Sequence, residues 1–175
     1  MKIIFALLVA FFLTNCVDNK MKPIDFKDQK PRLVIEDYLS GNTIAWGILQ
    51  NRSGKVIRQF SAVLNGKWDG KQLILDEKFH WSDGEVQTRQ WKIIKINEHN
   101  YEGTAEDVVG KAIGYSYGPA FKFEYVLLVP VKSRKMKISF DDWIFKQDDK
   151  IAINRATMTK FGIKLAELTV FFQKN

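Results

Sequence analysis

The sequence predicts a mainly β protein, an antiparallel up-and-down barrel of about eight to ten strands preceded by one short helix. Three observations carry this. Aromatic residues are abundant, with 13 Phe, 5 Trp and 5 Tyr, and such enrichment favours strands. Alternating apolar segments follow one another at short intervals between Gly-, Asn- and Asp-containing turns, leaving no room for crossover helices. One hairpin, Leu73 to Ile93, can be registered residue by residue. The alternative architecture is a half-open curved sheet covered by a helix. At 175 residues and 46% hydrophobic, the chain suits one domain.

Residues 1–15 carry Lys2 ahead of an apolar run too short to span a bilayer permanently, which is the pattern of an export signal. Leu13-Thr14-Asn15-Cys16 resembles the lipobox of bacterial lipoproteins, in which the cysteine becomes the acylated first residue of the mature chain. Asn15 departs from the small residue usual there. Cys16 is the only cysteine, so it has no partner for an internal disulfide. Val17 after it, rather than Asp, resembles the sorting pattern for the outer membrane. Residues 16–31, polar and broken by Pro23 and Pro31, read as a flexible lipidated tether, and residues 32–175 as the barrel domain.

Within the domain, Arg32 to Gly41 has a roughly helical apolar stripe with glycine in the C-cap position. Thr43–Gln50 and Lys55–Leu64 then form a hairpin around Asn51 to Gly54, and the alternation of its second arm turns Arg58 inward with Phe60.

The central hairpin turns at Ser82-Asp83-Gly84. A three-residue loop with glycine third sets Phe79 against Gln87, Glu77 against Arg89 and Leu75 against Trp91. A two-residue Asp-Gly loop would mix polar and apolar neighbours on both faces, whereas the longer loop sorts them. Glu77 and Arg89 then face each other among Phe79, Trp81 and Trp91 on the inner face. Charges rarely enter a core unpaired, so the pair is either a structural ion pair or a polar handle for a ligand.

Further on, Tyr101–Ala105 and Lys111–Tyr117 flank a loop at Glu106 to Gly110. Pro119–Val131 alternates Phe121, Phe123, Tyr125, Leu127 and Val129 on one face. Lys135–Lys146 begins with Met136, Ile138 and Phe140 on one face and ends with Trp143 and Phe145 on the other, which predicts a β-bulge at Asp141-Asp142. Ile151–Thr159 and Ile163–Gln173 close the chain as a last hairpin.

Motifs of catalysis are weak. Gly114 to Gly118 matches G-x-S-x-G, but an alternating strand, not a helix, follows Ser116. His80 and His99 lack ligand-spaced partners, and the pairs Asp141-Asp142 and Asp148-Asp149 read as structural. Neither an enzyme, a metal site nor a cofactor is expected. The net charge of +7 is dispersed among acids, without the basic block or aromatic platform of a nucleic-acid binder, and fits attraction to an anionic membrane surface.

Ala45-Trp46-Gly47, Glu77-Lys78-Phe79 with Asp83-Gly84-Glu85, Arg89-Gln90-Trp91, Asp107 to Gly110, Phe140 to Trp143, and Asn154-Arg155 through Gly162 together resemble a family of short bacterial lipoproteins, the domain of unknown function DUF3833. The resemblance implies a lipid-anchored envelope protein with a lipocalin-like barrel, on the periplasmic face of the outer membrane, and no settled activity. Trp46 and Arg155 also look like the tryptophan-arginine closure of lipocalins. The expected function is binding of an apolar or amphipathic, lipid-like molecule inside the barrel. Arg58, Glu77, Phe79, Trp81, Arg89, Trp91, Phe121, Phe123 and Tyr125 are the candidate ligand-binding residues. With Glu77 alone balancing two arginines, the site would suit a carboxylate or phosphate head. The competing expectation is a filled barrel with a structural or partner-binding role.

Overall fold

The computed structural model describes residues 20–131 and 133–175; the expected export signal and Cys16 lie outside the described residues. Among the described residues, ten strands close into one barrel with neighbours in chain order. They are β1 (Gly41–Asn51), β2 (Val56–Trp68), β3 (Gln72–Trp81), β4 (Val86–Lys95), β5 (Asn100–Thr104), β6 (Ala112–Tyr117), β7 (Ala120–Val131), β8 (Arg134–Lys146), β9 (Ile151–Lys160) and β10 (Ile163–Lys174). β1 pairs with β10, so the half-open alternative does not apply.

The central hairpin adopts the expected register: Glu77 pairs with Arg89 and Leu75 with Trp91. Gly84, at φ 88°, supplies the left-handed turn residue. The Trp81 N–H donates to Glu85 O at 2.9 Å, closing a three-residue loop. Inside the barrel, rings lie across glycines of nearby strands. A Cβ on Gly47 would sit 2.2 Å from the Phe60 ring, and one on Gly103 2.3 Å from Phe123. The inner wall is therefore packed by large rings set against small residues.

The bulge expected at Asp141-Asp142 is absent: β8 keeps an unbroken register with both β7 and β9 through this point. The register shifts fall instead between Leu49 and Gln50 and between Lys164 and Ala166. Regular alternation puts Ile138, Phe140, Asp142 and Ile144 inward, while Trp143 and Phe145 point outward. Their outer faces are covered by Phe26, whose ring lies 6.0 Å from Trp143 and 5.4 Å from Phe145.

Phe26 belongs to a 3₁₀ turn at Pro23–Phe26, within the stretch expected to be a tether. Residues 20–31 thus form a strap along the barrel wall. A Cβ at Gly118, which has φ 52°, would come 1.9 Å from Phe26 O, so only glycine admits the strap here.

The expected helix is α1 (Ile35–Leu39), shorter than the stripe that announced it. It plugs one end of the barrel, with Leu33, Ile35, Tyr38 and Leu39 buried in the core. The Leu33 N–H donates to Gly118 O at 2.8 Å and the Tyr38 hydroxyl to Lys150 O at 2.9 Å. Buried Glu36 accepts from the Tyr101 hydroxyl at 2.9 Å and pairs with Lys95.

Candidate functional site

Four elements send polar side chains to one spot inside the barrel. Glu77 comes from β3, Arg89 from β4, Tyr125 from β7 and Asp142 from β8. Asn154 of β9 and Asp107 of the β5–β6 connection complete the group. Each strand residue arrives there by inward alternation. Asp107 arrives because its segment pairs along β7: the Leu128 N–H donates to Asp107 O and the Val109 N–H to Val126 O, both at 2.8 Å.

Arg89 is bound chiefly to Asp107. Its Nη2 lies 2.7 Å and its Nε 3.1 Å from Asp107 Oδ2, a two-pronged contact, whereas its Nη1 stands 3.9 Å from Glu77 Oε2. The facing pair read from the hairpin is thus real in register, but Arg89 gives its hydrogen bonds to Asp107 and makes only a longer ionic contact with Glu77. Asp142 is held on both oxygens. The Tyr125 hydroxyl donates to Oδ2 at 2.9 Å, and Asn154 Nδ2 donates to Oδ1 and, at 3.0 Å, to Trp143 O.

Burial dominates the electrostatics. It pushes the Glu77 carboxyl up to about 7, against the pull of Arg89 and with help from Asp142 and Asp107. Burial likewise raises Asp142 to about 6, although hydrogen bonds from Tyr125 and Asn154 oppose it. Tyr125 is raised well above its ordinary value by burial and then by the Asp142 charge. For Arg89, burial works to lower the pKa, but Glu77 and Asp107 outweigh it and the guanidinium is held more firmly charged than usual.

These groups border two spaces. An internal cavity of about 110 Å³ has apolar walls that include Phe79, Trp91, Phe123 and Leu168, and its lining also holds Glu77, Arg89, Tyr125, Asp142 and Asn154. A surface cleft of about 1010 Å³ is lined by Asp107, Leu128 and Lys135 among others, and it too reaches Glu77 and Arg89. Those two residues therefore stand between the cleft and the cavity.

Seven of the nine candidate ligand-binding residues, Glu77, Phe79, Arg89, Trp91, Phe121, Phe123 and Tyr125, line that cavity. Arg58 and Trp81 do not. Arg58 sits at the rim over the Trp81 ring, 4.0 Å from its centroid, and is neutralised by Asp83 at 2.7 Å and Glu85 at 2.8 Å. The expected cationic spot is accordingly not formed, since Arg89 alone faces Glu77, Asp107 and Asp142. Asp107, Asp142 and Asn154 escaped the sequence reading. The signal for Asp142 was its alternation with Phe140 and Ile144, which the outward aromatics masked.

Other motifs resolve into structure. The Ser116 hydroxyl donates to Leu33 O at 2.8 Å, tying the plug to β6. The His99 ring stacks on Tyr117 at 4.2 Å, and His80 is exposed. Among the described residues no cluster of three or more His, Cys, Asp or Glu could hold a metal ion. The Trp46–Arg155 closure is not made: both lie on the outer wall, Trp46 beside Phe171 at 6.2 Å and Arg155 paired with Glu167 at 2.7 Å.

The family model for proteins of unknown function, DUF3833, matches residues 10–174. The chain belongs to the DUF3833 family. The segments that suggested this family supply Glu77, Arg89, Asp107, Asp142 and Asn154, so five of the residues that carried the resemblance converge on the internal cluster.

No curated protein matches this DUF3833 chain in sequence. Among solved structures it is similar to the S-type phycobiliprotein lyase CPES from Guillardia theta, at 7% identity and TM-score 0.59, covering 80% of this chain and 90% of that one. It is also similar to a DUF3598-family protein of unknown function from Nostoc punctiforme, at 14% identity and TM-score 0.62, covering 84% of this chain and 51% of that one. The DUF3833 chain therefore spans about half the length of that second protein. At such identities the likeness concerns the fold, a lipocalin-like barrel.

Proposed function

We propose that this DUF3833 protein is an envelope lipoprotein, anchored through acylated Cys16, that binds a small amphipathic molecule in its barrel. One observation carries the binding reading: an apolar cavity inside a closed barrel ends on a cluster of buried polar groups that a surface cleft also reaches. Small-molecule sites have this composition, mostly apolar walls with a few converging polar groups. The cavity of about 110 Å³ is smaller than the roughly 150 Å³ void that accommodates benzene in another protein. A short apolar body fits inside with its head at Glu77, and any longer remainder extends along the cleft.

The modest volume also favours a second reading, a filled barrel with a structural or partner-binding role. Native mass spectrometry of the purified protein separates the two. A mass in excess of the polypeptide and its anchor, released by solvent extraction, supports binding. A clean polypeptide mass that amphipathic molecules do not alter supports the filled barrel.

Anchoring rests on the sequence around Cys16 and has its own test. Cys16→Ser is expected to release the protein from membranes or to leave an uncleaved precursor, read by fractionation and gel migration. A mutant that fractionates and migrates like wild type removes the lipoprotein reading.

A further inference from the structure

The interior cluster contains one hydrogen-bonding position that the protein itself leaves open. Among the described residues, three buried side-chain atoms have no hydrogen-bond partner: Thr43 Oγ1, Arg58 Nε and Glu77 Oε2. Glu77 alone of these residues lines the cavity. The Trp91 indole N–H acts on the Glu77 carboxyl but leaves Oε2 without a partner, and the other neighbours do not supply the missing donor. Arg89 is committed to Asp107, at 2.7 Å, and stands 3.9 Å away from Glu77 Oε2. The Tyr125 hydroxyl and the Asn154 amide are both spent on Asp142.

The charge balance points the same way. The charged residues of the cavity lining are Glu77, Arg89 and Asp142, and Arg89 is already neutralised by Asp107 from the cleft side. Within the cavity lining a carboxylate or phosphate head would be brought against two acids with no uncommitted cation to receive it, the lysines Lys78, Lys92 and Lys135 lining only the cleft. A donor head would instead satisfy Glu77 Oε2, and a protonated amine would also offset buried negative charge.

From these observations we infer that the cavity selects amphipaths whose head donates hydrogen bonds, a primary ammonium above all, with Glu77 as the recognising residue. The inference rests on the binding reading above and narrows it to one head chemistry. The head meets Glu77 at the junction of cavity and cleft, while the apolar body lies against Phe79, Trp91 and Phe123. Entry from the cleft passes the Arg89–Asp107 pair.

Four probes of matched size test this at pH 8, where Glu77 is ionised: n-butylamine, 1-butanol, butyrate and inorganic phosphate. Binding is followed through the Trp91 indole N–H resonance in wild type and in Glu77→Gln. Butylamine is expected to bind at least about tenfold more tightly than butyrate or phosphate, with butanol between them. Glu77→Gln should weaken butylamine by about tenfold or more and butanol by a smaller factor, since a neutral hydroxyl loses only a hydrogen bond to the carboxylate and no charge pairing. Preference for butyrate or phosphate, or butylamine binding indifferent to Glu77→Gln, overturns this inference and leaves the binding reading standing. If none of the four probes binds, the binding reading itself falls and this inference with it. Glu77→Gln keeps the side chain's shape, and its near-ultraviolet circular dichroism, which comes from rings such as Phe79, Trp91 and Phe123 in the cavity wall, reports that the cavity is intact.

Discussion

Replacing Arg89 with Met is expected to destabilise the protein by about 3 to 5 kcal/mol, because it strands the buried Glu77 carboxylate and the partly buried Asp107 carboxylate that one guanidinium held. The Arg89 side chain is only 16% exposed, and its acids are Glu77 at 12% and Asp107 at 30%. The partner that matters is set by geometry. Asp107 receives the two-pronged contact at 2.7 and 3.1 Å, and Glu77 stands at 3.9 Å. Coupling between Arg89 and Asp107 should therefore exceed coupling between Arg89 and Glu77 by on the order of 1 kcal/mol or more. Urea unfolding of Arg89→Met, Asp107→Asn, Glu77→Gln and the two doubles that contain Arg89→Met measures both couplings. A larger coupling to Glu77 would show that the cross-strand pair, not the pair to the β5–β6 connection, holds the cluster together. Additive, harmless substitutions throughout would mean that the three side chains do not meet in solution.

Lowering the pH from 8 to 5 should stabilise the protein, against the usual trend for a carboxylate held in a salt bridge. Burial raises Glu77 from 4.5 to about 7 and Asp142 from 3.8 to about 6. Between pH 4 and pH 7 the folded state thus holds more protons than the unfolded state, so stability falls as pH rises through this window. The folded carboxyls are protonated at pH 5, and their contribution is lost on passing each folded pKa. At about 1.4 kcal/mol per pH unit of displacement, Glu77 alone accounts for up to about 3 kcal/mol. Glu77→Gln removes that share. The mutant should melt higher than wild type at pH 8, match it at pH 5 and show a flatter profile between. Asp69, Asp83, Asp149 and Glu167 carry lowered pKa values, and their stabilisation is lost only on further acidification, outside this window. Identical pH profiles for wild type and mutant would show that Glu77 is solvated rather than buried among the cavity walls.

The internal site and the surface features answer to different parts of the chain. Arg58 and Trp81, read as interior, make a rim with the β3–β4 turn acids, so substitutions there probe the barrel mouth and not the cavity. The strap places Phe26 over Trp143 and Phe145. Mass in the outer wall that resembles core is covered by the chain's own N-terminal segment.

What could be read from the sequence alone was what short-range rules govern. Strand alternation has a period of two and the turn at Ser82 to Gly84 has its own chemistry, so the register that pairs Glu77 with Arg89 was derivable from a stretch of adjacent residues. The same rules identified the aromatic inner face of β7 and the near-count of strands. Three decisions needed the tertiary structure. Asp142 points inward because Trp143 and Phe145 are covered by Phe26, a contact between residues far apart in sequence that makes an outward aromatic as well buried as an inward one. Asp107, not Glu77, takes the hydrogen bonds of Arg89, because the β5–β6 connection lies along β7 and nothing local specifies where a loop will rest. The barrel closes through β1 and β10, the first and last strands. Local pattern says which face of a strand seeks burial, but only the assembled chain determines what covers it.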